Sequence, residues 1–180
     1  SEYKGEMSDV SRVECKDSMY SIIQYSKFKW LKESSKLNPF NSKYFFWLDA
    51  GASRFLSSSD YEKEYPSQEA LAQLDQIDNT FLIQYNPDYY SDLVNSSTLT
   101  ENYLWDNRAF ICGSMFGGNS KAIFSIDDEI NEIMDYMIEN SCVNNEQIAL
   151  GYLCKNKENL FIRFYRTNPN QHLSLFQEMV

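Results

Sequence analysis

The sequence predicts an α/β fold built on a central sheet, as one domain over residues 1–180, and three observations predict it. Short apolar runs of strand length alternate with longer segments of helical period. Each apolar run stops at a cluster of Asp, Asn-Pro or Gly residues. A chain of 180 residues can also bury one sizeable core.

Residues 1–15 are polar, without periodicity, and are expected to be flexible. From Ser18, the residues Met19, Ile22, Ile23, Phe28, Trp30 and Leu31 have roughly helical spacing, and the segment ends before Asn38-Pro39. Residues 44–48 (YFFWL) form a continuous aromatic run, expected as a strand buried on both faces, and it stops at Asp49-Ala50-Gly51. Residues 66–79 read as a helix with Pro66-Ser67 near its start, and residues 80–85 as a second strand ended by Asn86-Pro87. Residues 88–107, rich in Tyr, Asn, Ser and Asp, are expected to be a long irregular excursion of the kind that forms a lid or binding loop. A third strand is expected over 109–115, then a glycine-rich turn at Phe116-Gly117-Gly118-Asn119. Ser125 and Asp128 resemble the start of a capping box, with Ile126, Ile130, Ile133, Met134, Met137 and Ile138 on one helical face. A short helix over 144–153 and a last strand over 160–165 complete the pattern.

Sixteen basic residues stand against 26 acidic ones, for a net charge of −10. That balance argues against a nucleic-acid groove, which needs Lys and Arg to replace counterions on phosphate, and against an electrostatic hold on anionic membrane. A single small diphosphate is still compatible, because it needs a few placed donors rather than net charge. Cys15, Cys112, Cys142 and Cys154 include no C-x-x-C pair and there is one His, which disfavours a structural zinc site. Free thiols are the simplest reading, though four cysteines also permit two disulfides; with the lack of a signal-peptide pattern this favours a cytoplasmic setting, and no apolar run reaches the ~18 residues of a membrane span.

Three places can carry chemistry. In an open α/β sheet, ligands gather at the carboxyl ends of strands, where Asp49 lies. A carboxylate there can meet a metal or a ribose hydroxyl, Gly51 permits a close backbone approach, and Arg54, just past Ser53, can fork onto phosphate. The plain reading is a strand-ending turn with a solvated Asp and Arg. The second place is the turn at 113–119, where glycines and a following helix N-terminus favour anions or hydroxyl oxygens. It is neither a P-loop nor a G-x-G-x-x-G fingerprint. The third is Asn144-Asn145-Glu146-Gln147, which reads as a helix cap or as a glutamate beside a sugar site.

In this order, the segments at 44–55 (YFFWLDAGASRF) and 110–120 (FICGSMFGGNS) resemble the W-[IL]-D-A-G and F-G-G segments of the HtrL/YibB-type family, which includes WlaTC-like proteins. They are also similar in layout to glycosyltransferases of the GT-A fold, with residues 145–150 (NEQIAL) in the place of the acidic segment. The resemblance spans roughly residues 40–155. It implies a three-layer fold with a mixed sheet and transfer of a sugar, hexosyltransferase type, from a nucleotide-sugar donor to a glycan or glycoconjugate acceptor. By the same resemblance, Asp49 would contact Mn²⁺ or Mg²⁺ or the donor ribose. Gly51, Ser53, Arg54, Phe116, Gly117, Gly118, Asn119, Asn145 and Gln147 would face donor and acceptor, and Glu146 would act beside the reacting centre. His172 is a candidate late metal ligand by the same analogy, and a solvated His by the plain one.

Two departures stand in the sequence. The place of the second carboxylate in the D-x-D motif is Gly51, so Asp49 alone carries over as a metal contact. Only about one helix fits before Tyr44, where GT-A enzymes have a nucleotide-binding βαβ half of ~30 residues or more. The chain is therefore expected to be the acceptor-side part of such a domain, either a fragment or a form that has lost its first half. The alternative is a non-catalytic carbohydrate-binding or interaction module descended from such an enzyme.

Overall fold

The computed structural model describes residues 17–51, 58–59, 61–77 and 79–164. In chain order the elements are α1 (Ser18–Leu37), β1 (Tyr44–Leu48), α2 (Gln68–Leu74), β2 (Phe81–Tyr85), α3 (Tyr90–Asn95), β3 (Ile111–Asn119), α4 (Ser120–Glu139), α5 (Glu146–Asn156) and β4 (Phe161–Phe164). Short 3₁₀ turns occupy Pro87–Tyr89, Glu101–Trp105 and Glu158–Leu160. The expected α/β class is what the chain adopts.

The four strands form a mixed sheet in the order β1-β3-β2-β4. β3 pairs antiparallel with both β1 and β2, and β2 pairs parallel with β4. Successive residues of β1 and β2 face opposite sides, as the pleat requires, and β3 changes phase at an irregularity between Cys112 and Gly117. Phe45, Trp47, Phe81, Ile83, Ile111 and Phe116 therefore join the main core with residues of α1, α4 and α5. Tyr44, Phe46, Leu82 and Met115 join a smaller core on the other face, closed by Ala70 and Leu74 of α2. Phe28 of α1 stacks on Phe116 of β3, with ring centroids 5.0 Å apart, and fixes that helix over the sheet.

Several expectations change in the structure. β1 lies at the edge of the sheet and is only half-buried, with Leu48 exposed, because β3 pairs with it on one side while β2 is the strand buried throughout. The turn expected at 116–119 is instead the second half of β3, with Trp47, Phe46, Phe45 and Tyr44 opposite Phe116, Gly117, Gly118 and Asn119. The glycines serve close strand packing: a Cβ on Gly117 would stand 2.1 Å from the Phe45 carbonyl oxygen, and one on Gly118 2.9 Å from that of Thr80. The helix expected near Ser125 begins at Ser120, because Asn119 Oδ1 accepts from the Ala122 N–H and caps it earlier. The helix expected over 66–79 is shorter, Gln68–Leu74, capped by Ser67 accepting from Ala70 N–H.

The excursion at 88–107 is built rather than irregular. It holds α3 and the Glu101–Trp105 turn, and asparagines flanking α5 fasten it. Asn156 exchanges two hydrogen bonds with the Leu99 backbone, imitating a strand partner. Asn144 Nδ2 donates to the carbonyls of Leu104 and Asp106.

Candidate functional site

Asp49 and Glu146, which lie far apart in the sequence, meet on one ammonium group. Lys27 comes from α1, on the stripe Lys27, Leu31, Ser35 that the i, i+4 spacing places against the sheet. Its Nζ lies 2.9 Å from Glu146 Oε1, 3.1 Å from the Gly113 carbonyl oxygen and 3.3 Å from Asp49 Oδ1. Three acceptors thus face the three N–H donors of an ammonium. The Lys27 side chain is 5% exposed, Glu146 3% and Asp49 40%, so Asp49 is the end of this chain of charges that solvent reaches.

Local structure explains each arm. β1 ends at Leu48, and the Asp49 N–H extends the ladder by one rung to the Ser114 carbonyl, 2.9 Å away. Trp47 Nε1 donates to Asp49 Oδ1 at 2.6 Å, and the Lys27 ammonium lies 5.7 Å from the centroid of the same indole. Trp47 thereby orients the carboxylate and covers the cation. Glu146 is the first residue of α5, where a carboxylate also meets the positive end of the helix dipole. Asn145 caps that helix by accepting from the Ile148 N–H, and its own carbonyl accepts from the Tyr25 hydroxyl on α1.

Gly113 makes the junction possible. A Cβ there would stand 2.4 Å from Glu146 Oε1 and 3.0 Å from Gln147 Cγ. The β2–β3 pairing slips at the same place, passing from Leu82 opposite Gly117 to Gln84 opposite Cys112. Residues 113–116 therefore lie against Ile83 alone, a bulge where the Gly113 carbonyl meets Lys27 while the Ser114 carbonyl stays in the β1 ladder with Asp49.

Burial pushes the Glu146 carboxyl above its ordinary range, with Lys27 opposing the shift only in part. A buried ion pair of this kind is costly to desolvate and is held by geometry. The arrangement can fix a solvent-facing carboxylate, Asp49, in one orientation beside the Lys27 side chain.

The other expected site residues divide in two groups. Gln147 and Asn145 lie beside Glu146, and Gly51 is exposed close to Asp49. Phe116, Gly117, Gly118 and Asn119 do not join them, since β3 runs away from Asp49 and Asn119 lies opposite Tyr44, about 17 Å along the strand at ~3.4 Å per residue. The anion-binding helix end expected there is occupied by Asn119's own cap. Ser53, Arg54 and His172 lie outside the described residues. Sequence reasoning missed Lys27, and it placed Gly113 in an anion-facing turn rather than against Glu146. Lys27's spacing to Leu31 and Ser35 was the available signal.

Among the described residues, no group of three or more His, Cys, Asp or Glu side chains could hold a metal ion. Asp49 Oδ1 already takes the Trp47 N–H and the Lys27 ammonium, and a divalent cation on that oxygen would face the ammonium directly. At Asp49 Oδ1 the described donors suit an ammonium rather than Mn²⁺ or Mg²⁺. No helix among the described residues is long and apolar enough to cross a membrane.

A concavity lies on the segment that Asn144 fastens. It has a volume of about 520 Å³ and is lined by Asn102, Trp105, Asp106 and Asn107. Its wall is tied by Asn144 to the turn that begins α5. The Tyr103 ring stacks on Phe110 at 5.0 Å, and its hydroxyl donates to the Arg108 carbonyl.

Compared with known families, residues 4–176 match the model described as "Bacterial protein of unknown function (HtrL_YibB)". No curated protein and no solved structure matches the chain.

Proposed function

The chain belongs to the HtrL_YibB family, and on that premise we propose that it is a glycosyltransferase, moving a hexosyl group from a nucleotide-sugar donor to a glycan or glycoconjugate acceptor. The observation that supports this most is the convergence of Asp49 and Glu146 on Lys27. Two acidic positions singled out from separate motifs, as parts of one sugar site, are joined through a single side chain.

In this reading the acceptor hydroxyl oxygen bonds to the anomeric carbon as the bond from that carbon to the diphosphate oxygen breaks. The diphosphate leaves with the electron pair, and the hydroxyl proton passes to a carboxylate. Asp49 is the carboxylate placed to take that proton or to bind a sugar hydroxyl, being the exposed member of the cluster. Lys27 and Trp47 hold it in one orientation, so little reorganisation is needed during reaction. Glu146 is buried and acts through Lys27, as a positioning residue. Mn²⁺ or Mg²⁺, implied by the resemblance, stays outside this reading because Asp49 Oδ1 is already held by Lys27 and Trp47.

The burial of Glu146 also favours a second reading, a carbohydrate-binding module without turnover, since Asp49 is the one solvent-reached acid of the cluster. Incubation with a panel of nucleotide-diphosphate sugars, with and without Mn²⁺, separates the two. Release of nucleotide that is saturable, unchanged by Mn²⁺ and abolished in Asp49→Ala is the expected result. Release that persists at the wild-type rate in Asp49→Ala would sink the catalytic reading, and saccharide binding without nucleotide release would favour the module.

A further inference from the structure

We propose that the concavity lined by Asn102, Trp105, Asp106 and Asn107 is a binding subsite for a neutral sugar ring. This deepens the reading above in its carbohydrate part and does not depend on turnover. Its volume of about 520 Å³ falls within the ~300–1,000 Å³ of small-molecule sites. A pyranose presents a C–H face and a rim of hydroxyls. The lining offers the counterpart of each: an indole to cover the face, and the exposed Asn102 carboxamide, which can both donate and accept.

Charge decides against an anion. Among the described lining residues Asp106 is the ionisable one, and it is fully committed. Its Oδ1 accepts from the N–H groups of Asn107 and Arg108, and its Oδ2 from Arg108 Nε and Nη2 at 2.9 and 2.5 Å. Burial opposes ionisation of Asp106, but the Arg108 guanidinium and those backbone donors outweigh it and hold the carboxyl below its ordinary range. Arg108 is in turn spent on Asp106 and Asp92. The wall is thus polar with its charges cancelled, in a chain of net charge −10.

The subsite is also formed in advance. Trp105 packs against the main core, which fixes its ring. Asn144 grips the Leu104 and Asp106 carbonyls, Asn156 grips Leu99, and Gly151 leaves room for the Tyr103 hydroxyl, which a Cβ would meet at 2.6 Å. A wall anchored this way loses little entropy when it binds. The same Asn144 accepts from the Asn145 N–H, which joins the wall to the residue that caps α5 at Glu146.

The test is titration of the full chain with neutral disaccharides (lactose, maltose and cellobiose), followed by tryptophan fluorescence and calorimetry, with inorganic phosphate as the anion control. Saturable binding of at least one saccharide and none of phosphate is expected. Trp105→Ala should weaken it about tenfold. Asn102→Ala, on the exposed rim, should weaken it less while folding normally, and Trp105→Phe should retain most of the affinity. Failure of all three saccharides to bind, preference for phosphate, or wild-type affinity in both Trp105→Ala and Asn102→Ala overturns the subsite. Nucleotide release measured in the same samples keeps the two proposals apart. Saccharide binding lost with Trp105 but without nucleotide release sinks the transfer reading and leaves the subsite standing. Nucleotide release with saccharide binding indifferent to Trp105 and Asn102 does the reverse.

Discussion

Removing Lys27 should cost more than removing either acid it holds, and removing Lys27 and Glu146 together should cost less than the sum. At 2.9 Å, with an effective dielectric of about 20, the gross Lys27–Glu146 attraction is about 6 kcal/mol. Desolvating the two buried ions consumes several kcal/mol each, so the pair as a whole is close to neutral for stability. The Asp49 contact at 3.3 Å adds at most ~1 kcal/mol, because that carboxylate is 40% exposed and screened by water. Lys27→Met therefore strands a buried carboxylate and should destabilise by about 3–5 kcal/mol. Glu146→Gln leaves Lys27 with Asp49 and the Gly113 carbonyl, and should cost about 1–3 kcal/mol. The double variant should recover a coupling energy of about 3 kcal/mol. Urea unfolding followed by circular dichroism, with unchanged denaturant dependence as the check on comparability, measures all four species. Additivity within ~0.5 kcal/mol would refute the buried pair.

Glycine positions give a second test. Gly113→Ala should destabilise by about 1–3 kcal/mol and reduce any Asp49-dependent activity, because the new methyl displaces Glu146, read by unfolding and nucleotide release together. Gly117→Ala meets backbone at 2.1 Å and should cost more than Gly113→Ala, measured in the same unfolding series. For pH, the raised Glu146 carboxyl binds more protons in the folded than in the unfolded chain. Its favourable contribution is complete below the unfolded value of ~4.3 and is lost as pH rises through the elevated folded value. Wild-type stability relative to Glu146→Gln should fall across that window, and a flat difference would contradict the shift. Cys112, Cys142 and Cys154 are buried, with desolvation pushing the Cys142 thiol up and that of Cys154 to about 11. Since the thiolate is the reactive form, iodoacetamide should label these three only after unfolding, as mass spectrometry can show.

Much of the sheet was legible because its strands are short apolar runs that end abruptly. Asp49 was placed correctly at the end of β1 since charge arrives there at once after Leu48. Glu146 was found because an Asn-Asn-Glu-Gln cluster opens a helix. The turn misread at Gly117-Gly118 has a physical source: glycine marks either a positive φ or a close approach, and no glycine among the described residues has positive φ. Sequence spacing cannot tell the two uses apart, because the atoms approached belong to Phe45 and Thr80. Lys27 was overlooked for a similar reason. A lysine inside a helix ordinarily faces water, and only acids from two other segments make its burial tolerable. The excursion at 88–107 looked irregular because its order comes from Asn144 and Asn156, distant side chains that supply the missing backbone partners.

The span of the Lys27–Glu146 contact sets a timetable for synthesis. The two residues are 119 positions apart, about 6–24 s of translation at ~5–20 residues per second. Throughout that interval α1 carries a cation whose buried partner has not yet been made. Docking α1 on the sheet before then would bury the ammonium against Asp49 and the Gly113 carbonyl alone, the same arrangement that Glu146→Gln leaves. The charge cluster is thus completed only once α5 has been made, and a chain stalled before Glu146 carries Lys27 with two of its three acceptors.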